Sequence, residues 1–391
     1  MSSPHPDENA DHALRVVAAP DSFKESMSAW AAAAAIRDGV LAAASGAIVT
    51  MVPVSDGGEG LLDVVRDERA MVHRTSVRNA LGDTIEAEWL QSGARAIIEV
   101  ARVVGLADIP PGERNVMASD TRGVGTLIRA AMDEGCVQVV LGLGGTATND
   151  GGAGMLASLG ARFLDAAGMV LEPTPAGLAG LHQIDLANLD PRLAETQLVM
   201  ASDVTSPLTG PEGASATFGP QKGATPDQVG KLDTLLASLA FLVDAQRDDS
   251  LTTVPGAGAA GGLGWALLVI GAEPRPGFEL VAELTGIAPA IAEADLVITG
   301  EGSFDAQSLQ GKVVQGIAGL AARHGVPCHV LAGRVQELPP RELAEHGITT
   351  ATAITPEGST LEQALAQGEQ NMRRAAEQLV RRVVKAHDLG A

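Results

Sequence analysis

Cysteine is nearly absent from this 391-residue chain, which has only Cys136, in Gly-Cys-Val, and Cys328, in Pro-Cys-His. Two cysteines cannot build a disulfide framework, and each adjoins an apolar run with the character of a buried strand, so both are expected to be small buried hydrophobes. Positive charge is scarce too. Twenty-seven Lys and Arg against 48 Asp and Glu leave a formal charge of −21, which repels nucleic-acid backbones and anionic membrane surfaces. Neither is expected as a partner. The chain opens without the basic stretch and apolar run of a signal peptide, so a cytoplasmic location is expected, with residues 1–13 as an acidic, proline-containing disordered tail. No apolar run has the character of a membrane span either: the one long uncharged stretch, residues 250–272, holds six glycines and is expected to be a buried loop and helix.

What the chain does have is enough apolar material, 46% of residues, to bury more than one core, and its length passes the roughly 250–300 residues at which one core stops growing. The opening reads as strand, loop and helix: Leu14-Arg15-Val16-Val17-Ala18-Ala19-Pro20, a polar turn, then an Ala-rich stretch with Ala33, Ile36, Val40 and Ala43 on one face and Ser26 or Ser28 as its cap. A second strand at residues 48–54 completes a βαβ unit, which requires a parallel sheet. Shorter runs at 72–77, 84–90 and 94–100 predict an antiparallel meander. A helix at 124–132 and apolar strands at 137–141, 198–201 and 295–299 follow. Ser359 to Glu362 fits a capping box that opens a terminal helix. The switch from βαβ to meander near residue 70 and back near 285 predicts a discontinuous first domain, 14–70 plus 285–391, with residues 71–284 inserted as a mixed α/β domain.

The chain writes its positive charge as arginine, so its five lysines, at 24, 222, 231, 312 and 385, stand out. Three occupy unusual settings: Asp21-Ser22-Phe23-Lys24, Gly219-Pro220-Gln221-Lys222-Gly223 and Gly311-Lys312. A compact ammonium suits a phosphate or carboxylate that must be neutralised as a point charge. Acids collect after the apolar runs: Asp56 and Glu59 in Asp-Gly-Gly-Glu-Gly, Asp150 before Gly151-Gly152, Asp203 after Ala201-Ser202, and Glu301 with Asp305 after Thr299. Ligands of open α/β sheets bind beyond the carboxyl ends of strands, so these acids are expected to converge on one cleft. Many carboxylates with few imidazoles suit Mg²⁺ and hydroxyl deprotonation rather than zinc. The loop Gly142-Leu143-Gly144-Gly145-Thr146-Ala147-Thr148-Asn149-Asp150 offers bare backbone amides and hydroxyls to an anion. It has no Walker spacing, and the chain lacks HExxH and GxSxG patterns. Gly256-Ala257-Gly258-Ala259-Ala260-Gly261 matches GxGxxG, which keeps open a nicotinamide-dependent oxidoreductase. A non-catalytic hydroxy-acid-binding protein is the other alternative to an enzyme handling phosphate and a small anion.

These segments, together with Pro207-Leu208-Thr209-Gly210-Pro211 and Phe218-Gly219-Pro220-Gln221-Lys222-Gly223, resemble the class I glycerate kinase family in order and spacing over residues 14–385. The resemblance implies ATP-dependent phosphorylation of D-glycerate, 2-phosphoglycerate favoured as product, with Mg²⁺. It also implies a Rossmann/flavodoxin-like discontinuous domain holding a second, inserted α/β domain. Gly300-Glu301-Gly302-Ser303-Phe304-Asp305 departs from the family's Gly-Glu-Gly-Arg-Ile-Asp, so no substrate-binding arginine carries over, and Asn79-Ala80-Leu81-Gly82 departs from Gly-Pro-Leu-Gly in a turn. Asp203, after a buried-looking strand and before a Pro/Gly loop, is expected to be the general base or to position Mg²⁺. Lys24 and Lys312 are expected to neutralise charge. Ser22, Gly144, Gly145, Thr146, Thr148, Asn149 and Lys222 are expected to bind substrate or phosphate, and Asp56, Glu59, Asp150, Glu301 and Asp305 form an unranked pool of metal-linked or hydroxyl-binding acids. With these groups spread over both expected domains, the active site is expected between them.

Overall fold

The computed structural model describes residues 13–247, 249–309 and 313–390, with side chains as far as residue 385. Residues 1–12 of the expected tail lie outside the described residues. The chain forms two compact units, one from residues up to Ser55 together with those from Val281 on, the other Asp56–Leu280.

The first unit is built on an all-parallel sheet of five strands, in the spatial order Thr350–Ala353, Cys328–Ala332, Leu296–Gly300, Arg15–Pro20, Ile48–Met51. Counted along the chain within this sheet, that order is 5-4-3-1-2, the doubly wound pattern whose switch point falls between the first and third strands. The central strands are near-continuous apolar runs because helices cover both faces of such a sheet; Val16 to Ala19 and Leu296 to Ile298 are all buried. Helix Ala29–Ala43 follows from its alanine content and from Ser28, whose side chain accepts the Ala31 N–H at 3.1 Å. Gly39 lets helix Gly368–Gly390 pack directly on it, since a Cβ there would stand 2.2 Å from the Arg373 carbonyl oxygen. The capping box sits one residue later than expected. Thr360, in extended conformation, exchanges hydrogen bonds with Gln363. The expected terminal helix is two, Leu361–Ala366 and Gly368–Gly390.

The second unit holds a six-stranded mixed sheet in the order Glu273–Arg275, Gln197–Ala201, Gln138–Gly142, Arg95–Glu99, Thr84–Ser92, Met71–Arg78. The last three strands are the expected antiparallel meander, and the pairings from Arg95–Glu99 to Glu273–Arg275 are parallel. Its core takes in Trp89, Ile98, Leu141, Met200 and Trp265. The uncharged stretch turns into helix Ala259–Val269, buried along almost its whole length; among the described residues no helix is long and apolar enough to cross a membrane. Both cysteines are buried and free.

The units divide at Ser55/Asp56 and Leu280/Val281, not at the expected 70/71 and 284/285. Glu99 supplies the reason at the first boundary. At the end of a strand of the second unit, its buried carboxylate accepts the N–H groups of Gly60 and Leu62, both at 3.0 Å. This ties the glycine loop and helix Leu61–Val65 to the second sheet.

Candidate active site

In the first unit, two expected motifs meet at the switch point. Asp21 donates its N–H to the Gly300 carbonyl at 2.8 Å, so the segment after strand Arg15–Pro20 is bonded to the end of strand Leu296–Gly300. Phe23 is buried and exchanges backbone hydrogen bonds with Met27, which fixes a tight turn and leaves Lys24 exposed beside it. Glu25 takes a left-handed φ of 63° in this turn, the kind of local strain that persists only where the surroundings impose it. Ser22 and Glu301 are half-buried. Asp305 shapes a turn: its carboxylate accepts the Gln307 N–H at 2.8 Å while its own N–H donates to Ser308 Oγ. Lys312 lies outside the described residues.

The second unit gathers most of the other expected residues. Asp56 and Glu59, assigned by sequence to the first domain, belong here. Asp56 folds its own loop by accepting the Gly58 N–H at 2.9 Å. The backbones of Gly58 and Gly144 then lie in direct contact: a Cβ on Gly144 would be 2.7 Å from Gly58 Cα. Only glycine allows two loops to approach so closely. Gly145, at φ +69°, places its Cα beside Glu59, whose Oε2 would be 3.6 Å from a Cβ there. Asp203, exposed at the end of strand Gln197–Ala201, accepts the Gly277 N–H at 2.8 Å. A Cβ on the same Gly277 would overlap the Asp56 carbonyl oxygen at 1.8 Å. Asp56 and Asp203 therefore border one glycine.

Beyond Gly145 the loop is sealed. Thr146, Thr148, Asn149 and Asp150 are buried, and Gly145 and Ala147 are pinned to the 104–106 segment by backbone hydrogen bonds at 2.7 and 2.8 Å. Lys222, also buried, donates to the Thr148 carbonyl at 2.7 Å and to Thr146 Oγ1 at 3.3 Å. Burial pushes its ammonium down to about 7, and the charge of Asp150 pulls the other way. Asn149 donates to Ser215 Oγ at 2.9 Å. Thr148 Oγ1 and Asn149 Oδ1 are buried without a hydrogen-bond partner among the described residues. Asp150 takes four donors: Thr121 N–H and O–H and Gly154 N–H on one oxygen, Gly152 N–H on the other, at 2.8 to 3.1 Å. Burial raises its carboxyl to about 6 even so. With its lone pairs turned to the chain, Asp150 holds the loop and the start of helix Ala153–Ser158.

The Gly256 string follows no strand, and its glycines serve packing. Gly151 N–H bonds the Gly261 carbonyl at 3.0 Å, and a Cβ on Gly261 would stand 2.0 Å from the Thr148 carbonyl oxygen. A dinucleotide fingerprint needs a strand before the turn, so the nicotinamide reading loses its support. The sequence reading missed Glu99, Thr121 and Ser215. Glu99 carries the very signal used for the others, an acid ending an apolar strand; Thr121 and Ser215 carry none.

Among the described residues no group of three or more His, Cys, Asp or Glu is arranged to hold a metal. Mg²⁺ delivered with phosphates takes one or two protein carboxylates and completes its shell with phosphate oxygens and water, and the exposed Asp56, bordering Gly277, is a carboxylate of that kind. The bare Gly144 and Gly145 backbone, the buried Lys222 and the unpartnered Thr148 hydroxyl are groups that suit phosphate.

Residues 16–384 match the glycerate kinase family. The glycerate kinase of Halalkalibacterium halodurans is 41% identical over 92% of this chain and 96% of its own length. The glycerate 2-kinase of Escherichia coli K12 is 38% identical over 93% and 96%. A crystal structure from Salmonella typhimurium LT2 that carries a glycerate kinase 2 designation superposes with a TM-score of 0.83 at 40% identity, covering 96% of this chain and all of that one. The chain belongs to the glycerate kinase family.

Proposed function

We propose that the protein transfers the γ-phosphoryl group of ATP to D-glycerate, giving ADP and 2-phosphoglycerate. The observation that carries the site assignment is the meeting, within the second unit, of the Asp56 loop, the glycine loop at 142–150 and Asp203. Phosphoryl transfer asks the protein for positioning and charge neutralisation more than for covalent chemistry. Gly144 and Gly145 offer amides to phosphate oxygens, and Lys222, fixed by Thr146 and Thr148, supplies positive charge behind them. Asp203, exposed and oriented by Gly277, takes the proton of the glycerate hydroxyl as that oxygen bonds to phosphorus and ADP leaves. Asp56 is the carboxylate that would hold Mg²⁺, which would supply charge neutralisation on the phosphates when bound. Asp150 and Glu99 act as positioning residues. In the first unit, Lys24 at the switch point is an exposed cation for an anionic group, beside Ser22 and Glu301. The strand order there supports a flavodoxin-like domain interrupted by the second unit.

The test is glycerate-dependent ADP release by the purified protein in a coupled assay with Mg²⁺. Turnover with D-glycerate is expected; ligand-induced stabilisation without turnover would favour a binding protein instead. Asp203→Asn is expected to lower kcat by at least about a hundredfold with the unfolding midpoint unchanged, because Asn retains an oxygen for the Gly277 N–H. Near-normal turnover would remove Asp203 from the reaction.

A further inference from the structure

The second unit contains a cavity of about 470 Å³ away from the loops described above. One wall is aliphatic, with Met117, Pro175 and Leu178; the other is one face of helix Pro226–Asp244, including Gly230, Thr234 and Leu235. The volume lies within the roughly 300–1,000 Å³ of small-molecule sites.

Gly230 is the informative residue. Glycine in a helix interior weakens the helix, and packing does not require it here, because a Cβ at this position meets no atom within 4 Å. What glycine leaves is a flat strip of bare helix facing an apolar wall, the shape that admits a planar ring. The polar groups around it are mostly acceptors. Thr234 and Ser238 spend their hydroxyl protons on the carbonyls of Gly230 and Thr234, both at 2.9 Å, so their oxygens present lone pairs. Asp227 adds a carboxylate. The single cation, Lys231, makes no ion pair among the described residues. The complementary molecule is a planar ring bearing N–H and O–H donors and an anionic end.

Both walls also run into the glycine loop's supports. Helix Pro226–Asp244 begins just past Lys222. Met117 lies in the 114–121 segment, where Arg114 donates to the Gln221 carbonyl at 2.9 Å and Thr121 binds Asp150. We propose that this cavity receives the base and ribose of the nucleotide donor. The proposal rests on the kinase reading and adds the nucleoside site to it.

Gly230→Leu would fill the cavity from the helix side. Expected is a rise in KM for ATP of at least about tenfold, with KM for D-glycerate unchanged and loss of competition by adenosine. An unchanged KM for ATP in the folded variant would overturn the proposal, as would an equal change in both KM values. Gly230→Ala, whose methyl meets open space, is the variant to use if leucine prevents folding, with the same direction and a smaller effect. If the wild-type protein turns over no glycerate, the kinase reading fails by itself, and equilibrium binding then decides the cavity. Adenosine bound by wild type and lost in Gly230→Leu supports the site, whereas adenosine bound by neither removes it.

Discussion

Gly256 and Gly261 stand in one glycine string, yet the structure predicts different outcomes when each becomes alanine. Both have left-handed backbones, at φ +89° and +69°, so each substitution carries a conformational cost of roughly 1–2 kcal/mol. They differ in space. The nearest atom to a Cβ on Gly256 is the Val204 carbonyl oxygen at 3.5 Å, ordinary contact, whereas on Gly261 it would sit 2.0 Å from the Thr148 carbonyl oxygen and 2.6 Å from Asn149 Cα. Relieving that overlap adds roughly 1–3 kcal/mol, so Gly261→Ala is expected to cost about 2–5 kcal/mol in all and Gly256→Ala only the conformational part. The displaced atoms belong to the loop that fixes Lys222, so Gly261→Ala is also expected to raise KM for ATP while Gly256→Ala leaves it alone. Urea unfolding followed by tryptophan emission reads the stability, since Trp265 is buried in the same helix and Trp89 in the same core. Equal stability losses in the two variants, or a destabilised Gly261→Ala with wild-type KM, would refute the steric link between this helix and the loop.

Lys222 gives a pH test in which stability and activity move in opposite directions. Its ammonium loses its proton near pH 7 when folded and near 10.5 when unfolded, so between those values the unfolded state binds more protons and stability rises with pH. Over the same window kcat/KM for ATP is expected to fall as the charge is lost; Lys222→Met removes both slopes, and a wild-type profile in that variant would exclude Lys222 from phosphate binding. Asp150→Ala strips an acceptor from three buried backbone N–H groups and is expected to cost on the order of 3 kcal/mol without changing the Mg²⁺ requirement of whatever folds. Intact stability with a raised Mg²⁺ requirement would make Asp150 a metal ligand instead.

The legible parts of the sequence were those where one local signal decides the outcome. Apolar runs such as 137–141 and 295–299 stand within a residue of the observed strands, and the meander follows from strand length and polar interruption. The first unit boundary was not legible because it depends on Glu99 reaching across 39 residues to Gly60, a pairing no local pattern encodes. Composition at the site was legible, but roles were not. Asp56, Asp150 and Asp203 look alike as acids after strands; burial and donor count separate the sealed Asp150 from the exposed Asp203. Lys222 stood out by rarity, yet its burial comes from helix and loop packing far along the chain.

The strand Arg15–Pro20 takes one neighbour from close by, Ile48–Met51, and the other from Leu296–Gly300, where Thr299 bonds Ala19 across 280 residues of chain. During synthesis at 5–20 residues per second that separation is a delay of roughly 15 to 55 seconds. Over this interval the emerging strand has an open edge, while the whole of the second unit, contiguous in sequence, leaves the ribosome and closes its own sheet. A chain halted at residue 280 therefore carries every strand of the second sheet but only two of the five strands of the first. The protein is assembled from the middle outwards, and its first-made strand is among the last to be fully paired.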